Sequence, residues 1–327
     1  MALPTLKNCP GTLKENQSSY STTALKRVFQ GKKVSPILPY DSPASNDRTD
    51  ALFTENRKRM SISGVQEKFS VLLEKNKLRL IEEGEQGQYI LKPIPNVGKK
   101  ASQMPANEHV TMQIARQVFA IETAENALMF FKNGDLAYIT KRFDVKDNGL
   151  KWAQEDFASL AGRTSQTHGE DFKYKGNYLE LFTLLKKYVP AYAVESIKLF
   201  KLILFNYLFS NGDAHFKNFS LIETPLGDFK LSPAYDLLNS RLHIDDKDFA
   251  LDDGLLPTHL AIGKVKAQFY GLGEQAGISN QQVEKVFSDV TSKKIEVLKL
   301  IEASFLDEKA KRNYRQAYQT KLKKLTR

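Results

Sequence analysis

The chain has 327 residues, of which 41% are apolar and 26% charged, and a net charge of +10. That is an ordinary globular composition with length for one large domain or two lobes, and its basic excess suits nucleotide phosphates, nucleic acid or an acidic protein partner alike. The single cysteine, Cys9, excludes an intramolecular disulfide. The opening Met1–Lys7 has no apolar leader, and the longest apolar stretch, Leu199 to Phe209, is broken by Lys201 and Asn206, so secretion and membrane insertion are not expected and a cytoplasmic protein is.

In chain order, Ser21 caps a predicted short helix that runs to Phe29. A Pro- and polar-rich connector follows, from Gly31 to about Asp50. Ser70–Leu73 and Gln88–Lys92 are predicted strands, the second stopped by Pro93. Pro105-Ala106-Asn107-Glu108 opens a helix with Val110, Ile114 and Val118 on one face. Leu128–Phe131 and Leu136–Ile139 flank Asn133-Gly134, a hairpin signal. Polar residues 162–176 lack periodicity and are expected to form a mobile loop.

Asn177 then caps a predicted helix ended by Pro190, and residues 192–209 form a strongly apolar helix with Ile197, Phe200, Leu204 and Leu208 on its core stripe. Phe219–Ile222 and Phe229–Leu231 are strands joined by a turn at Pro225-Leu226-Gly227-Asp228. Ser279 starts a helix through Val283, Val286 and Phe287, and two more helices finish the chain. In the last one Lys309, Lys311, Arg312, Arg315, Lys321, Lys323, Lys324 and Arg327 face no acid in sequence, as expected of a solvated helix face. Strands early and helices late predict an α+β protein. Its strand-rich N-terminal lobe covers residues 1–143 and its helical C-terminal lobe 144–327, with a cleft between them.

The loop after the apolar helix reads Asn211-Gly212-Asp213-Ala214-His215-Phe216-Lys217-Asn218. Asp213 and Asn218 have the spacing of base and metal-binding Asn in a kinase catalytic loop. Phosphoryl transfer needs a carboxylate to orient the attacking hydroxyl, and a neutral oxygen further along to reach Mg²⁺ on the phosphates. The hairpin that follows ends at Asp236, the place of a kinase's second metal ligand. Lys92 ends the strand Tyr-Ile-Leu-Lys, as a phosphate-binding lysine does, and Glu108 in the next helix is placed to hold it. Ahead of Lys92, Ser61-Ile62-Ser63-Gly64-Val65 has one glycine, with small residues that let backbone N–H groups approach phosphate. His215 is expected to brace the loop beside the nucleotide, and Lys217 to reach the transferred phosphate or face solvent.

Ser61-x-Ser63-Gly64-x-Gln66-x-Lys68, Ile90–Pro93, Asn107-Glu108, Lys141–Asp144, Gln154–Asp156, Asn211–Ser220 and Pro233–Leu237 together resemble the HipA-type serine/threonine protein kinases, toxins of bacterial toxin–antitoxin systems. The resemblance runs from about Ser61 to the end. The opening Tyr20-Ser21-Thr22-Thr23-x-Leu25-Lys26-Arg27 is most similar to the compact HipT branch, in which the N-terminal subdomain of HipA is a separate small protein. The resemblance implies a two-lobed protein-kinase-like fold that uses ATP and Mg²⁺. Asp213 takes the catalytic base, Asn218 and Asp236 the Mg²⁺ ligands, and Lys92 the ATP lysine. Lys141 to Phe143 join the lobes and hold adenine, while Ser61 and Ser63 form the autophosphorylation segment. It further implies an aminoacyl-tRNA synthetase as the class of protein substrate and two partners, a helix-turn-helix antitoxin and a small HipA N-terminal-like protein, with DNA reached only through the antitoxin. A small-molecule kinase of the aminoglycoside or choline type, and a pseudokinase acting as a binding module, remain as alternatives. Asn211 stands where the first of these usually has His, and an intact Lys92, Asp213, Asn218 and Asp236 is more than a scaffold needs.

Overall fold

The computed structural model describes residues 5–43, 67–96, 99–146, 148–245 and 247–326. Ser61, Ser63, Gly64 and Val65 therefore lie outside the described residues. The chain forms two compact units: residues 1–113, 124–150 and 299–312 make one, and residues 114–123, 151–298 and 313–327 the other.

The first unit begins with helix α1 (Thr22–Phe29), where the Ser21 side chain accepts from the N–H of Ala24 as the cap requires. Strands β1 (Phe69–Glu74), β2 (Lys77–Leu80) and β3 (Tyr89–Pro93) precede helix α2 (Met104–Gln117), and β4 (Asn126–Phe130) and β5 (Leu136–Lys141) follow it. The five strands pair antiparallel in the order β2-β1-β3-β5-β4. Side chains alternate between the faces of a strand, and that rule sorts β3. Tyr89 and Leu91 join Val28, Phe29, Phe69, Val71, Ala127, Met129 and Ile139 in the core under the sheet. The Tyr89 hydroxyl reaches the carbonyl of Val28, 3.0 Å away, so the buried phenol keeps a partner. Lys92 falls on the other face, opposite Tyr138 in register, and its ammonium lies 5.4 Å from the centre of that ring.

The second unit carries β6 (Gln154–Asp156), the short helices α3 (Phe157–Leu160) and α4 (Ser165–His168), then α5 (Leu179–Tyr188) and α6 (Tyr192–Leu208). Strands β7 (Ser220–Glu223) and β8 (Phe229–Leu231) complete a three-stranded sheet ordered β6-β7-β8. Helices α7 (Val265–Gln275) and α8 (Asn280–Ser292) follow, the latter with a capping box between Ser279 and Gln282. Helices α9 (Lys294–Ala303) and α10 (Glu308–Thr326) each run from one unit into the other. α6 is the spine of the second unit: every residue from Leu202 to Leu208 is buried. A helix apolar on all sides belongs inside. Phe200 packs against Phe269 and Phe287, and Phe205 and Phe209 stack with centroids 4.4 Å apart.

Several expectations shift. Ile197 is only partly buried, and Val118 falls just past the end of α2. Residues 162–176 hold α4 and a 3₁₀ turn at Phe172–Tyr174 in place of a featureless loop. α10 is not simply solvated. Lys321 is 1% exposed, sits 2.7 Å from Asp248 and lies over the Tyr207 ring, 3.9 Å from its centre. Burial pushes its pKa down to about 8 against the pull of Asp248. Lys324 also reaches Asp248, and Lys311 pairs with Glu308. These cations have acidic partners distant in sequence or at the helix start.

Candidate functional site

The loop 211–218 is launched by the way α6 ends. Ser210 adopts a left-handed conformation with φ 55°. Its N–H donates to the Tyr207 carbonyl, and the Asn211 N–H donates to the Asn206 carbonyl at 2.9 Å. This is a Schellman closure, which turns the chain sharply off the helix axis. Next, the Gly212 N–H donates to Ser240 Oγ at 2.8 Å, and the Asn211 amide donates to Asn206 Oδ1 at 3.0 Å and to the Asp236 carbonyl at 3.4 Å. The loop is thus pinned to the segment that carries Asp236. From below, the Tyr178 hydroxyl donates to the Ala214 carbonyl at 2.7 Å.

Asp213 is partly exposed, its side chain 44% accessible. His215 is 8% exposed, and its pKa is pushed down to about 3, first by burial and then by the Lys173 ammonium. It is therefore neutral, and 3.9 Å between its Nε2 and Asp213 Oδ1 is too long for a hydrogen bond. It acts as packing, with the Tyr174 ring edge-on to it at 5.1 Å.

Asn218 Oδ1 accepts from the His215 N–H at 3.1 Å, and its amide lies 3.5 Å from Asp236 Oδ2. The β7–β8 hairpin makes that approach possible. Its turn closes with Thr224 N–H to the Asp228 carbonyl at 2.8 Å, and Gly227 takes φ 82°, the conformation a glycine there supplies. Asp236 itself has φ 55°. A non-glycine residue held in the left-handed region costs energy and marks sites where a side chain must point one way. Amide and carboxylate oxygens are hard donors that fit Mg²⁺. Among the described residues no group of three His, Cys, Asp or Glu side chains is placed to hold a metal ion. Two protein ligands match an ion that keeps waters and takes substrate phosphates.

Lys217 does not stand clear in solvent. Its ammonium is 2.8 Å from Asp156 Oδ2, while Oδ1 of the same carboxylate caps α3 by accepting from the Ser159 N–H at 2.9 Å. In the first unit, Lys92 Nζ lies 2.7 Å from Glu108 Oε1, with side chains 5% and 3% exposed, so the expected pairing is present. Lys141 ends β5 and donates its backbone N–H to the Glu125 carbonyl at 2.7 Å, and half-buried Phe143 lies just beyond. Two neighbours of the loop escaped the sequence reading. The Tyr174 hydroxyl donates to Asp213 Oδ1 at 2.7 Å, and the Tyr235 hydroxyl donates to the Lys217 carbonyl at 2.9 Å. Tyr235 precedes Asp236 and could have been weighed for that reason; Tyr174 has no local signal.

The HipA-like C-terminal domain matches residues 60–297. A Haemophilus influenzae protein, named provisionally as a kinase, is 27% identical over 236 residues, which cover 69% of this chain and 66% of that one. The serine/threonine-protein kinase toxin HipA of Shewanella oneidensis is 25% identical over 237 residues, 67% of this chain and 53% of that protein. The chain thus spans about half to two thirds of the length of these curated relatives. Among solved structures, the Shewanella oneidensis toxin–antitoxin complex of HipA, HipB and operator DNA gives a TM-score of 0.60 at 23% identity, over 82% of this chain and 64% of that one. The fold is accordingly the α+β, protein-kinase-like fold expected.

Proposed function

The chain belongs to the HipA-like C-terminal domain family, and we propose that it is a serine/threonine protein kinase that transfers the γ-phosphoryl group of ATP to a protein hydroxyl. The observation that supports this reading is the approach of Asn218 to Asp236 across one hairpin, with the loop that bears Asp213 pinned through Asn211 to the same segment. Asp213 orients the acceptor hydroxyl and takes its proton. The acceptor oxygen bonds to the γ-phosphorus, the bond from that phosphorus to the β,γ-bridging oxygen breaks, and ADP leaves. Asn218 and Asp236 would hold Mg²⁺, which when bound neutralises phosphate charge. Lys92, kept in place by Glu108, supplies the cation for the phosphates, and Lys141 to Phe143 the adenine-binding segment. His215 shapes the loop from within, and Lys217 shares its charge with Asp156.

Within this reading the protein acts in the cytoplasm as the toxin of a toxin–antitoxin system of the compact HipT type. Its substrate is of the aminoacyl-tRNA synthetase class, and its partners are a helix-turn-helix antitoxin and a small HipA N-terminal-like protein. Ser61 and Ser63 are the expected autophosphorylation sites, beside Gly64 and Val65 in the phosphate-covering loop. The likeness to the HipA of a HipA–HipB–operator complex supports the antitoxin partner. No described helix is long and apolar enough to cross a membrane.

The test is labelled-phosphate transfer from Mg²⁺–ATP into protein, comparing the wild type with Asp213→Asn. A positioned base contributes ~10²–10⁴-fold, so the variant is expected to lose transfer by that factor and to bind ATP as before. Transfer at the wild-type rate would overturn the assignment of Asp213.

A further inference from the structure

The proposed function leaves Tyr174 without a role. It closes the 3₁₀ turn Phe172–Tyr174, and the turn is fixed from outside. The Tyr174 carbonyl accepts from the Asp252 N–H at 2.9 Å, and the Gly176 carbonyl accepts from the Asp253 N–H at 3.0 Å. So anchored, the ring packs edge-on against His215, 5.1 Å away, and its hydroxyl donates to Asp213 Oδ1 at 2.7 Å. Beside that bond opens a pocket of about 350 Å³ whose wall includes Tyr174, Lys175, Gly212, Asp213, Phe249 and Ala250. The pocket and the phenol therefore meet at one carboxylate.

A hydroxyl that is to be phosphorylated must approach its base within ~2.6–3.2 Å. The Tyr174 hydroxyl makes that contact already, with the same chemistry an acceptor would bring. We propose that Tyr174 is a built-in occupant of the acceptor position: its phenol sits on Asp213 until a substrate hydroxyl entering from the pocket displaces it. This inference rests on the kinase reading of Asp213. It assigns Tyr174 as a gate that an acceptor must outcompete, which slows transfer to water and to weakly bound hydroxyls. A residue that only oriented the carboxylate would act in the opposite direction, because its loss would slow transfer.

Tyr174→Phe separates the two, since the ring keeps its packing on His215 and only the hydroxyl goes. ADP release from Mg²⁺–ATP, with water alone and with a degenerate mixture of serine-containing peptides, is measured for wild type, Y174F and D213N. Mg²⁺–ATP binding is followed by calorimetry and folding by the melting temperature. A hydrogen bond to a charged group that must be surrendered is worth roughly ten- to a hundredfold. Y174F is accordingly expected to release ADP at least about tenfold faster in water and to lower the apparent KM for the peptides by a similar factor, with unchanged nucleotide affinity. A fall in kcat with KM unchanged would make Tyr174 a positioning residue and overturn the gate, as would no change in either. If the wild type binds and turns over Mg²⁺–ATP and Y174F gains nothing, the inference alone fails. If none of the three proteins binds Mg²⁺–ATP, the kinase reading fails and takes the inference with it.

Discussion

The ion pair between Lys92 and Glu108 makes a quantitative prediction that separates folding from function. Both side chains are almost wholly withdrawn from water, 5% and 3% exposed, and their charged atoms are 2.7 Å apart. Removing one member of a buried ion pair costs about 3–5 kcal/mol, whereas replacing both with apolar groups of similar volume is often neutral. Against a total stability of ~5–15 kcal/mol, that loss is severe. Lys92→Met and Glu108→Leu should therefore each lower the unfolding free energy by about 3–5 kcal/mol, while the double variant recovers most of it. The coupling is then at least about 3 kcal/mol. Urea titrations of the four proteins, followed by far-ultraviolet ellipticity, measure the cycle. Calorimetry with Mg²⁺–ATP gives the functional half: the stable double variant should still bind nucleotide weakly, because it lacks the phosphate-binding cation. If the double variant loses as much stability as the two single losses added together, the pair is not coupled in the folded protein and the reasoning is refuted.

Asp236→Asn keeps the side-chain shape, and Asn tolerates a left-handed backbone well. Its melting temperature without ligand should match the wild type, while the enhancement of ATP affinity by Mg²⁺ falls at least about tenfold, since even supporting contacts around a metal are worth that much; equal Mg²⁺–ATP affinities in calorimetry would remove Asp236 as a ligand. His109 is fully buried, and burial, helped by the Arg27 charge, pushes its pKa down to about 3. A depressed histidine binds its proton only in the unfolded chain between pH 6.5 and that value, so the protein loses stability as pH falls, by about 1.4 kcal/mol per pH unit from this residue. Urea midpoints between pH 6 and pH 4 should fall less steeply in His109→Gln than in the wild type, and equal slopes would show that His109 does not carry this term.

Sequence periodicity located the parts of the fold that carry a repeating signal. Alternation and flanking turns marked β1, β3, β4, β5 and the β7–β8 hairpin to within a residue or two, and the apolar run marked α6 almost to its ends. β2 and β6 were not found, for different reasons. β2 has only Leu78 and Leu80 to alternate and depends on its register with β1. β6 is Gln-Glu-Asp, an edge strand with no apolar face, held by pairing to β7. α7 was also missed: Val265–Gln275 includes Gly271 and Gly273, which weaken helix propensity. Gly273 stays because a Cβ there would come within 2.5 Å of Val283 Cγ2, so helix packing chose the residue against its local preference.

The candidate site divides along the same line. The approach of Asn218 to Asp236 was legible because a two-stranded hairpin fixes their separation, so spacing in sequence becomes spacing in space. Lys92 and Glu108 were legible because one ends a strand and the other opens the next helix. Contacts made across many residues leave no such trace. Asp156 lies 61 residues from Lys217 and Tyr174 lies 39 from Asp213, and only the folded backbone brings each pair together. Both hidden contacts act on the 211–218 loop by adding charge or a hydroxyl to residues that the motif had already marked. The motif thus marks the loop's own residues, and the long-range partners fix their surroundings: Asp156 restrains the Lys217 charge, and the Tyr174 hydroxyl holds the Asp213 carboxylate.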